Sequence, residues 1–212
     1  MSKKAILTFG LIVASGMLAG GCSKRTVSIP EEPAEKTPSA PRVDIPTLVS
    51  ALSDEDADVR FAAVIDLGSY KDKAVPAVES LGKLLKDPNA NMRSAAADTL
   101  GRIGPASAPT ASLLGEDLAD PNPDVRRSAA IALGRIGPGA GPAVDALGKA
   151  VLDFDEEVRL AAIDALGKIG PSARSAVAVL LRAMGDGDEV KRKRALDSIQ
   201  RIDPTAIARA PG

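Results

Sequence analysis

A repeat of 33 residues constrains the fold of this chain more than any other feature of its sequence. Arginine recurs at that step, alanine stands three places after each arginine, and leucine or isoleucine stands four places further on. The three rows are Arg60, Arg93, Arg126, Arg159 and Arg192; Ala63, Ala96, Ala129, Ala162 and Ala195; and Leu67, Leu100, Leu133, Leu166 and Ile199. Such a period is typical of stacked repeats that bury their apolar faces against their neighbours. We therefore expect an array of small units instead of one globular core.

The composition suits many thin seams between helices. Apolar residues make up 45% of the 212 residues, yet the chain has no Trp, one Tyr and three Phe. It has no His, which removes the commonest general base and the commonest transition-metal ligand. A net charge of -1 argues against nucleic acid as a partner, because nucleic-acid-binding domains carry a basic excess. We expect no nucleic-acid partner, no metal and no cofactor.

The first 22 residues have the layout of an export signal. Lys3 and Lys4 precede an apolar run over residues 5–18, and small residues lead to Cys22, the only cysteine. The stretch resembles a bacterial lipoprotein signal, which implies that residues 1–21 are removed and that Cys22 is lipidated. It departs from that pattern at Ala19, where such signals usually have Leu. Ordinary cleavage after Gly21 and an uncleaved anchor are the alternatives.

Residues 22–42 predict a disordered, proline-rich tether. Pro30, Pro33, Pro38 and Pro41 are spaced through it, and its polar composition cannot offset the entropy cost of ordering the segment. In lipoproteins of double-membraned bacteria, a residue such as Ser23 after the cysteine favours the outer membrane. The expected location is therefore the cell envelope, with the exported chain anchored by lipid at the outer membrane and facing the periplasm.

Each repeat is predicted to form two helices. Repeats 1 to 5 span 43–74, 75–107, 108–140, 141–173 and 174–206, and 207–212 form a tail. The second helix is expected to bury Val59, Ala63, Leu67 and their equivalents. The first helix carries one leucine in every repeat, and the following loop begins with aspartate: Leu48, Leu81, Leu114, Leu147 and Leu180; Asp54, Asp87, Asp120, Asp153 and Asp186.

Proline and glycine mark the ends and the close contacts of these helices. A proline is predicted at the start of three first helices, where its missing N–H does no harm. A Gly-Pro pair is predicted to give the second helix a left-handed cap and a stop. Glycine inside a first helix would allow a neighbouring helix to approach closely. The residues are Pro76, Pro109 and Pro142; Gly104-Pro105, Gly137-Pro138 and Gly170-Pro171; and Gly82, Gly115 and Gly148.

The stretch 124–138 reads Asp-Val-Arg-x-x-Ala-Ala-x-Ala-Leu-Gly-x-Ile-Gly-Pro. It resembles the short HEAT-like repeats first noted in phycobilin lyases, and the resemblance covers about residues 43–206. It implies an all-α fold, a right-handed α-solenoid of about five repeats. It also implies a ladder of ion pairs between repeats, in which Arg60 bonds to Asp87 and their equivalents follow. Ankyrin repeats share the period, but their Thr-Pro-Leu-His opening is absent here.

The end repeats depart from the pattern, as the caps of a solenoid do. Repeat 1 has Tyr70-Lys71-Asp72 where other repeats have Ile-Gly-Pro, and repeat 5 has Lys191 at the position of Val59. We expect Lys191 to meet water, because no sixth repeat follows. The basic run Lys191–Arg194 is then a solvated cap, with a patch for anionic lipid as the alternative.

The motifs of known chemistry fit poorly. Asp54, Asp56 and Asp58 alternate as in a calcium loop, but Val59 and Ile65 stand where an EF-hand needs Gly and Glu, so helix capping is the expected role. The HEAT-repeat deoxyhypusine hydroxylases bind iron through histidine, which this chain lacks. We predict a non-catalytic scaffold or adaptor. The alternatives are an accessory enzyme or ligand handler of the phycobilin-lyase-like group and a purely structural spacer.

In HEAT arrays the second helices line the concave side, so the resemblance implies a protein partner there. We call the outward row of these helices the second-helix face. Its apolar members are candidate hot spots, because solubility alone would favour polar residues at those positions. The candidate partner-binding residues are Phe61, Ile65, Arg102, Arg127, Ile131, Arg135, Leu160, Lys168 and Arg201, and the other members are Ser94, Asp98, Asp164, Lys193 and Asp197.

Overall fold

The computed structural model describes residues 43–185 and 188–209, which contain ten α-helices, five 3₁₀ helices and no strand. The predicted signal, Cys22, the tether and Asp186 lie outside the described residues. The α-helices are α1 Ile45–Ala51, α2 Ala57–Tyr70, α3 Val78–Leu84, α4 Ala90–Ile103, α5 Ala111–Asp117, α6 Pro123–Ile136, α7 Val144–Ala150, α8 Glu156–Ile169, α9 Val177–Met184 and α10 Glu189–Ile202. The predicted all-α solenoid is confirmed.

A 3₁₀ helix joins each repeat to the next, and the sequence did not predict it. These segments are Lys71–Ala77, Gly104–Thr110, Gly137–Ala143 and Gly170–Ala176, and a last one covers Ile207–Arg209. Pro76, Pro109 and Pro142 therefore lie inside 3₁₀ helices and do not begin α3, α5 and α7 as predicted. Short stretches rich in Gly, Pro and Ala carry no period of 3.6 residues, so the pattern could not reveal them.

The glycines that follow three second helices have positive φ and end those α-helices, as predicted, but their ψ differs from that of a left-handed cap. Gly104, Gly137 and Gly170 have φ of 80°, 72° and 73° with ψ near -140°, far from the left-handed helical region. Each turns the chain from an α-helix into a 3₁₀ helix whose second residue is proline. In repeat 1 Lys71 takes this place with φ 52°, and it is the one non-glycine residue with positive φ in the described part of the chain.

Side-chain caps begin the second helices. Asp56, Asn89, Asn122, Asp155 and Asp188 are the N-cap residues, and each side chain accepts a hydrogen bond from a helix N–H. Four loop aspartates stand two places before a cap residue and accept from its N–H, as Asp87 does from Asn89 at 2.8 Å; the other three are Asp54, Asp120 and Asp153. Capping of the helix starts is therefore confirmed, although the loop aspartates act on the cap residue and not on the helix.

The core is a continuous seam between the repeats. The second helices pack in chain order, α2 on α4, α4 on α6, α6 on α8 and α8 on α10. The alanine and leucine rows of the 33-residue repeat are buried throughout, and so is the leucine of every first helix. Burying one such leucine contributes about 2–3 kcal/mol to folding. The predicted core rows are confirmed.

The two end repeats differ from the prediction at the position of Val59, where Val59 was expected to be buried and Lys191 to be exposed. Met92, Val125 and Val158 are buried there, but Val59 is 41% exposed, whereas Lys191 is only 8% exposed. This side of each second helix faces the preceding repeat: seven residues beyond Met92, Thr99 donates to the carbonyl oxygen of Val64 at 3.1 Å. Repeat 1 has no preceding repeat in the array, and repeat 4 covers Lys191. The prediction that Lys191 meets water was therefore wrong.

Close approach between helices depends on glycines other than the predicted ones. A Cβ at Gly101 would lie 2.8 Å from the Cα of Ala132, and one at Gly134 would lie 3.0 Å from the Cα of Ala165. Gly82 and Gly115 are tight at 3.3 Å, as expected, but Gly148 would meet its nearest neighbour at an ordinary 3.8 Å. The second helices thus make the closest contacts, and the prediction for Gly148 was wrong.

None of the helices in the described ranges is long and apolar enough to span a bilayer.

Candidate functional site

The arginine row forms the predicted ladder between repeats. Arg93 donates to both carboxylate oxygens of Asp120, at 2.8 and 3.0 Å, and Arg126 does the same to Asp153 at 2.8 Å. The contact of Arg60 with Asp87 is longer, at 3.8 Å. Each of these three arginines also donates to a carbonyl oxygen of its own loop, such as Arg93 to Asp87 at 2.8 Å. The ladder is confirmed at three steps, and its guanidinium groups are occupied by the protein itself.

The ladder shifts the pKa values of its carboxylates. Burial raises the pKa of Asp153, but hydrogen bonds from Arg126 and from the Asp155 amide outweigh it and leave the pKa below its ordinary value. Burial and the bonds from Arg93 and the Asn122 amide act on Asp120 in the same way. These carboxylates stay ionised at neutral pH, and their role is to hold the repeats together.

Three of the nine candidate residues on the second-helix face line one cavity. Arg127 and Ile131 of α6 and Leu160 of α8 surround it, and its volume is about 200 Å³. Three further lining residues were not predicted on this face: Glu157, Ala161 and Arg194. Asp164 also lines the cavity; it was predicted on the face but was not one of the nine candidates.

Ion pairs border the apolar floor of this cavity. Arg127 donates to Glu157 at 2.9 Å, and Arg194 donates to Asp164. The members of each pair are 30 residues apart, which is about one helical turn shorter than the 33-residue repeat. At this offset, charged groups of consecutive second helices lie next to each other. This offset is the sequence signal from which the pairs could have been predicted. The basic run of repeat 5 is therefore not one solvated patch, because Arg194 is bonded to Asp164 and Lys191 is buried.

The remaining candidate residues lie elsewhere on the face. Arg102 and Arg135 converge on the carboxylate of Asp98, at 2.7 and 2.8 Å. Phe61 and Ile65 are exposed on α2, and Phe61 borders a second cavity of about 210 Å³ beside α4. Lys168 and Arg201 are exposed near the ends of α8 and α10. The structure thus spreads the nine residues over several places instead of one.

The arrangement offers binding surfaces. In the two ranges that the structure covers, no three His, Cys, Asp or Glu side chains are grouped so that they could hold a metal ion. The cavity of Arg127, Ile131 and Leu160 has an apolar floor and a charged rim, which is the usual composition of a site for a partner side chain.

A model of HEAT repeats matches residues 45–116 and 111–200. The chain belongs to the HEAT-repeat family. No curated protein sequence matches it. Solved structures similar to this HEAT array include an engineered protein with 24% identity and a TM-score of 0.66, which covers 76% of this chain and 79% of its own.

Two other solved structures share the fold. One is a designed armadillo repeat protein in complex with the peptide (KR)4, with 19% identity, a TM-score of 0.62, and coverage of 74% of this chain and 80% of the other. The second is the complex of CpcE and CpcF of phycocyanin lyase from Nostoc sp. PCC7120, with 23% identity, a TM-score of 0.63, and coverage of 85% and 71%. At these identities the likeness concerns the fold.

Proposed function

We propose that this HEAT array is a non-catalytic scaffold that binds a protein segment along its second-helix face and is held at the cell envelope by a lipid on Cys22. The observation that carries the proposal is the cavity lined by Arg127, Ile131 and Leu160, on the same face as the exposed Phe61 and Ile65. The designed armadillo protein in complex with a peptide supports it, because that fold is similar.

The apolar residues are the expected anchors of the partner. The charges at the rim already bond to each other, Arg127 to Glu157 and Arg194 to Asp164, so they have less to gain from a partner. Ile131 and Leu160 are partly exposed and have no polar group to satisfy. Truncating or charging a buried apolar anchor commonly costs an interface more than changing a charge at its rim.

The test is crosslinking capture from the membrane fraction with three variants of the full-length chain. Phe61→Asp and Leu160→Asp each place a carboxylate on the second-helix face. The affinity for a stoichiometric partner that wild type captures should fall at least about tenfold, which corresponds to about 1.4 kcal/mol. Val75→Asp is the matched control, since Val75 is similarly exposed but lies in a 3₁₀ helix away from that face. Capture that survives both changes would reject the second-helix face.

The lipid anchor has its own test, because it rests on the sequence of the leader. Intact-mass analysis of the membrane fraction should show a lipid-sized increase in wild type and none in Cys22→Ala. An unmodified wild-type chain would rule out the lipid anchor without testing the proposed binding surface.

The likeness to the phycocyanin lyase complex favours a second candidate, a ligand handler for a linear tetrapyrrole. Its test is a titration of the purified chain with such a pigment. A saturable change in the visible spectrum would replace the scaffold proposal, and an unchanged spectrum would reject the ligand handler.

A further inference from the structure

Asp117, the last residue of α5, is buried at a position where the other repeats are apolar. The equivalent residues are Ala51, Leu84, Ala150 and Ala183. Asp117 is 6% exposed, and its Oδ2 atom is buried without a hydrogen-bond partner. Burial raises the pKa of this carboxyl to about 7. An unpartnered carboxylate oxygen is costly, so its presence at a position that the other repeats fill with alanine or leucine requires an explanation.

The charged groups around Asp117 are already paired with each other. Lys86 bonds to Glu116, Arg93 bonds to Asp120 through two hydrogen bonds, and Asp87 contacts Arg60. Lys86 and Arg93 lower the pKa of Asp117 from a distance, whereas Asp120 and Glu116 raise it. Asp117 is therefore the carboxylate of this group whose charge no ion pair neutralises.

Asp117 lines a cavity of about 450 Å³ between the loops that follow α3 and α5. The loop residues Pro88 and Pro121 form part of its wall. A metal ion does not suit it, because no group of three possible metal ligands exists in the described ranges. A cation that brings hydrogen-bond donors does suit it, since an ammonium or guanidinium group can donate directly to a carboxylate.

An apolar groove continues from this cavity along the same edge of the array. Its volume is about 370 Å³, it shares Glu116 and Ala119 with the first cavity, and Leu118, Leu152 and Phe154 line it. Phe154 is fully exposed at the position where the two preceding repeats have Pro88 and Pro121. An exposed aromatic ring in a chain with three phenylalanines marks a contact surface for an apolar side chain.

We infer that this loop edge of repeats 2 to 4 binds a partner segment in which a lysine or arginine stands next to a large apolar residue. The basic group enters the cavity and donates to the carboxylate of Asp117, and the apolar side chain lies against Leu118, Leu152 and Phe154. The surface is formed by first helices and loops, so it is distinct from the second-helix face and independent of the proposed function.

The test uses NMR titration of the full-length chain with acetyl-Gly-Arg-Leu-Gly-amide. The methyl signals of Leu118 and Leu152 and the carboxyl signal of Asp117 should shift together and saturate. The same peptide with citrulline in place of arginine should bind at least tenfold more weakly, because citrulline is uncharged. Binding should also weaken from pH 8 to pH 5.5, since Asp117 gains a proton while Lys86 and Arg93 keep theirs.

Asp117→Ala is the decisive variant. It should abolish binding while the fold remains, because alanine occupies this position in three other repeats. Asp145→Asn removes one exposed negative charge on α7 and is the matched control, with binding unchanged. Phe154→Ser should weaken the peptide at least threefold. Equal binding of the citrulline peptide, unchanged binding by Asp117→Ala, or no saturable shift with the arginine peptide would overturn the inference.

Discussion

Arg93 on α4 and Asp120 before α6 join two consecutive repeats through a pair of parallel hydrogen bonds, Nε to Oδ2 at 2.8 Å and Nη2 to Oδ1 at 3.0 Å. The Nη1 atom of Arg93 also donates to the carbonyl oxygens of Asp87 and Pro88. One side chain thus fixes its own loop and the next one. Arg126 repeats this geometry with Asp153, but Arg60 approaches Asp87 only to 3.8 Å.

The ladder predicts unequal losses of stability along the array. Arg126→Ala leaves the largely buried Asp153 without its partner, so the free energy of unfolding should fall by about 2–4 kcal/mol. Arg60→Ala removes a longer contact and should cost about 1 kcal/mol or less. Urea unfolding followed by circular dichroism measures both. Similar losses of unfolding free energy for the two variants would show that the geometry of the ion pair does not determine its contribution to stability.

Acid should reduce the difference in stability between Arg126→Ala and wild type. The pKa of Asp153 is lower in the folded chain than in the unfolded chain, so its ion pair contributes stability above the unfolded pKa of about 4. That contribution disappears as the pH falls through the lower, folded value. The unfolding free energies of the two proteins should therefore converge below about pH 4, as measured by urea unfolding at pH 7, 5 and 3.

Lys71 is predicted to be strained. Its φ of 52° with ψ of -129° is the conformation that Gly104, Gly137 and Gly170 adopt in the other repeats. Lys71→Gly should raise the unfolding free energy by about 1 kcal/mol, because glycine adopts positive φ without a steric penalty. Gly170→Lys is the reverse control. A Cβ at this position meets nothing within 4 Å, so the substitution tests only the cost of the backbone conformation. It should destabilise the array by about 1–3 kcal/mol.

The sequence predicted those features that repeat at a fixed offset. The buried alanine and leucine rows, the helical fold and the Arg–Asp ladder all follow the 33-residue period. It did not reveal which neighbour covers which side of a helix, and so Val59 and Lys191 were assigned to the wrong environments. Periodicity identifies a buried position, but only the order of the repeats in space decides which end of the array leaves that position open.

The grouping of the candidate residues in space could not be predicted from the sequence. Arg127, Ile131 and Leu160 do meet at one cavity, whereas Phe61 and Ile65 lie on α2. The positions follow from helical spacing, but the cavity depends on side-chain conformations and on the pairs Arg127–Glu157 and Arg194–Asp164. These pairs occur at an offset of 30 residues, which differs from the repeat period.

The helix glycines predict two opposite effects of the same substitution. Gly148→Ala should stabilise the array by up to about 1 kcal/mol, because its Cβ has room and alanine favours a helix. Gly101→Ala should instead destabilise it by about 1–3 kcal/mol, since a Cβ would lie 2.8 Å from the Cα of Ala132 and force α4 and α6 apart. Thermal unfolding compares the two, and a loss of stability in Gly148→Ala would contradict the 3.8 Å spacing at that position.

Asp117→Ala should stabilise the array at high pH and do so less at low pH. The wild-type carboxyl has a pKa of about 7 when folded and near its ordinary value when unfolded. The folded chain therefore holds the proton more tightly, and wild type loses stability as the pH rises from about 4 to about 7. At pH 8 the buried, unpartnered charge is largely present, so replacing it with alanine should raise the unfolding free energy by about 1–3 kcal/mol.

The pH series separates this charge effect from a simple gain in apolar packing. Urea unfolding at pH 4.5 should show a smaller difference between Asp117→Ala and wild type, because the folded carboxyl is then neutral and pH 4.5 lies near the start of the range over which wild type loses stability. Asp117→Asn keeps the shape of the side chain and removes its charge, so it should also raise the unfolding free energy at pH 8. A difference between Asp117→Ala and wild type that stays constant from pH 4.5 to pH 8 would show that Asp117 is not buried as an ionised group.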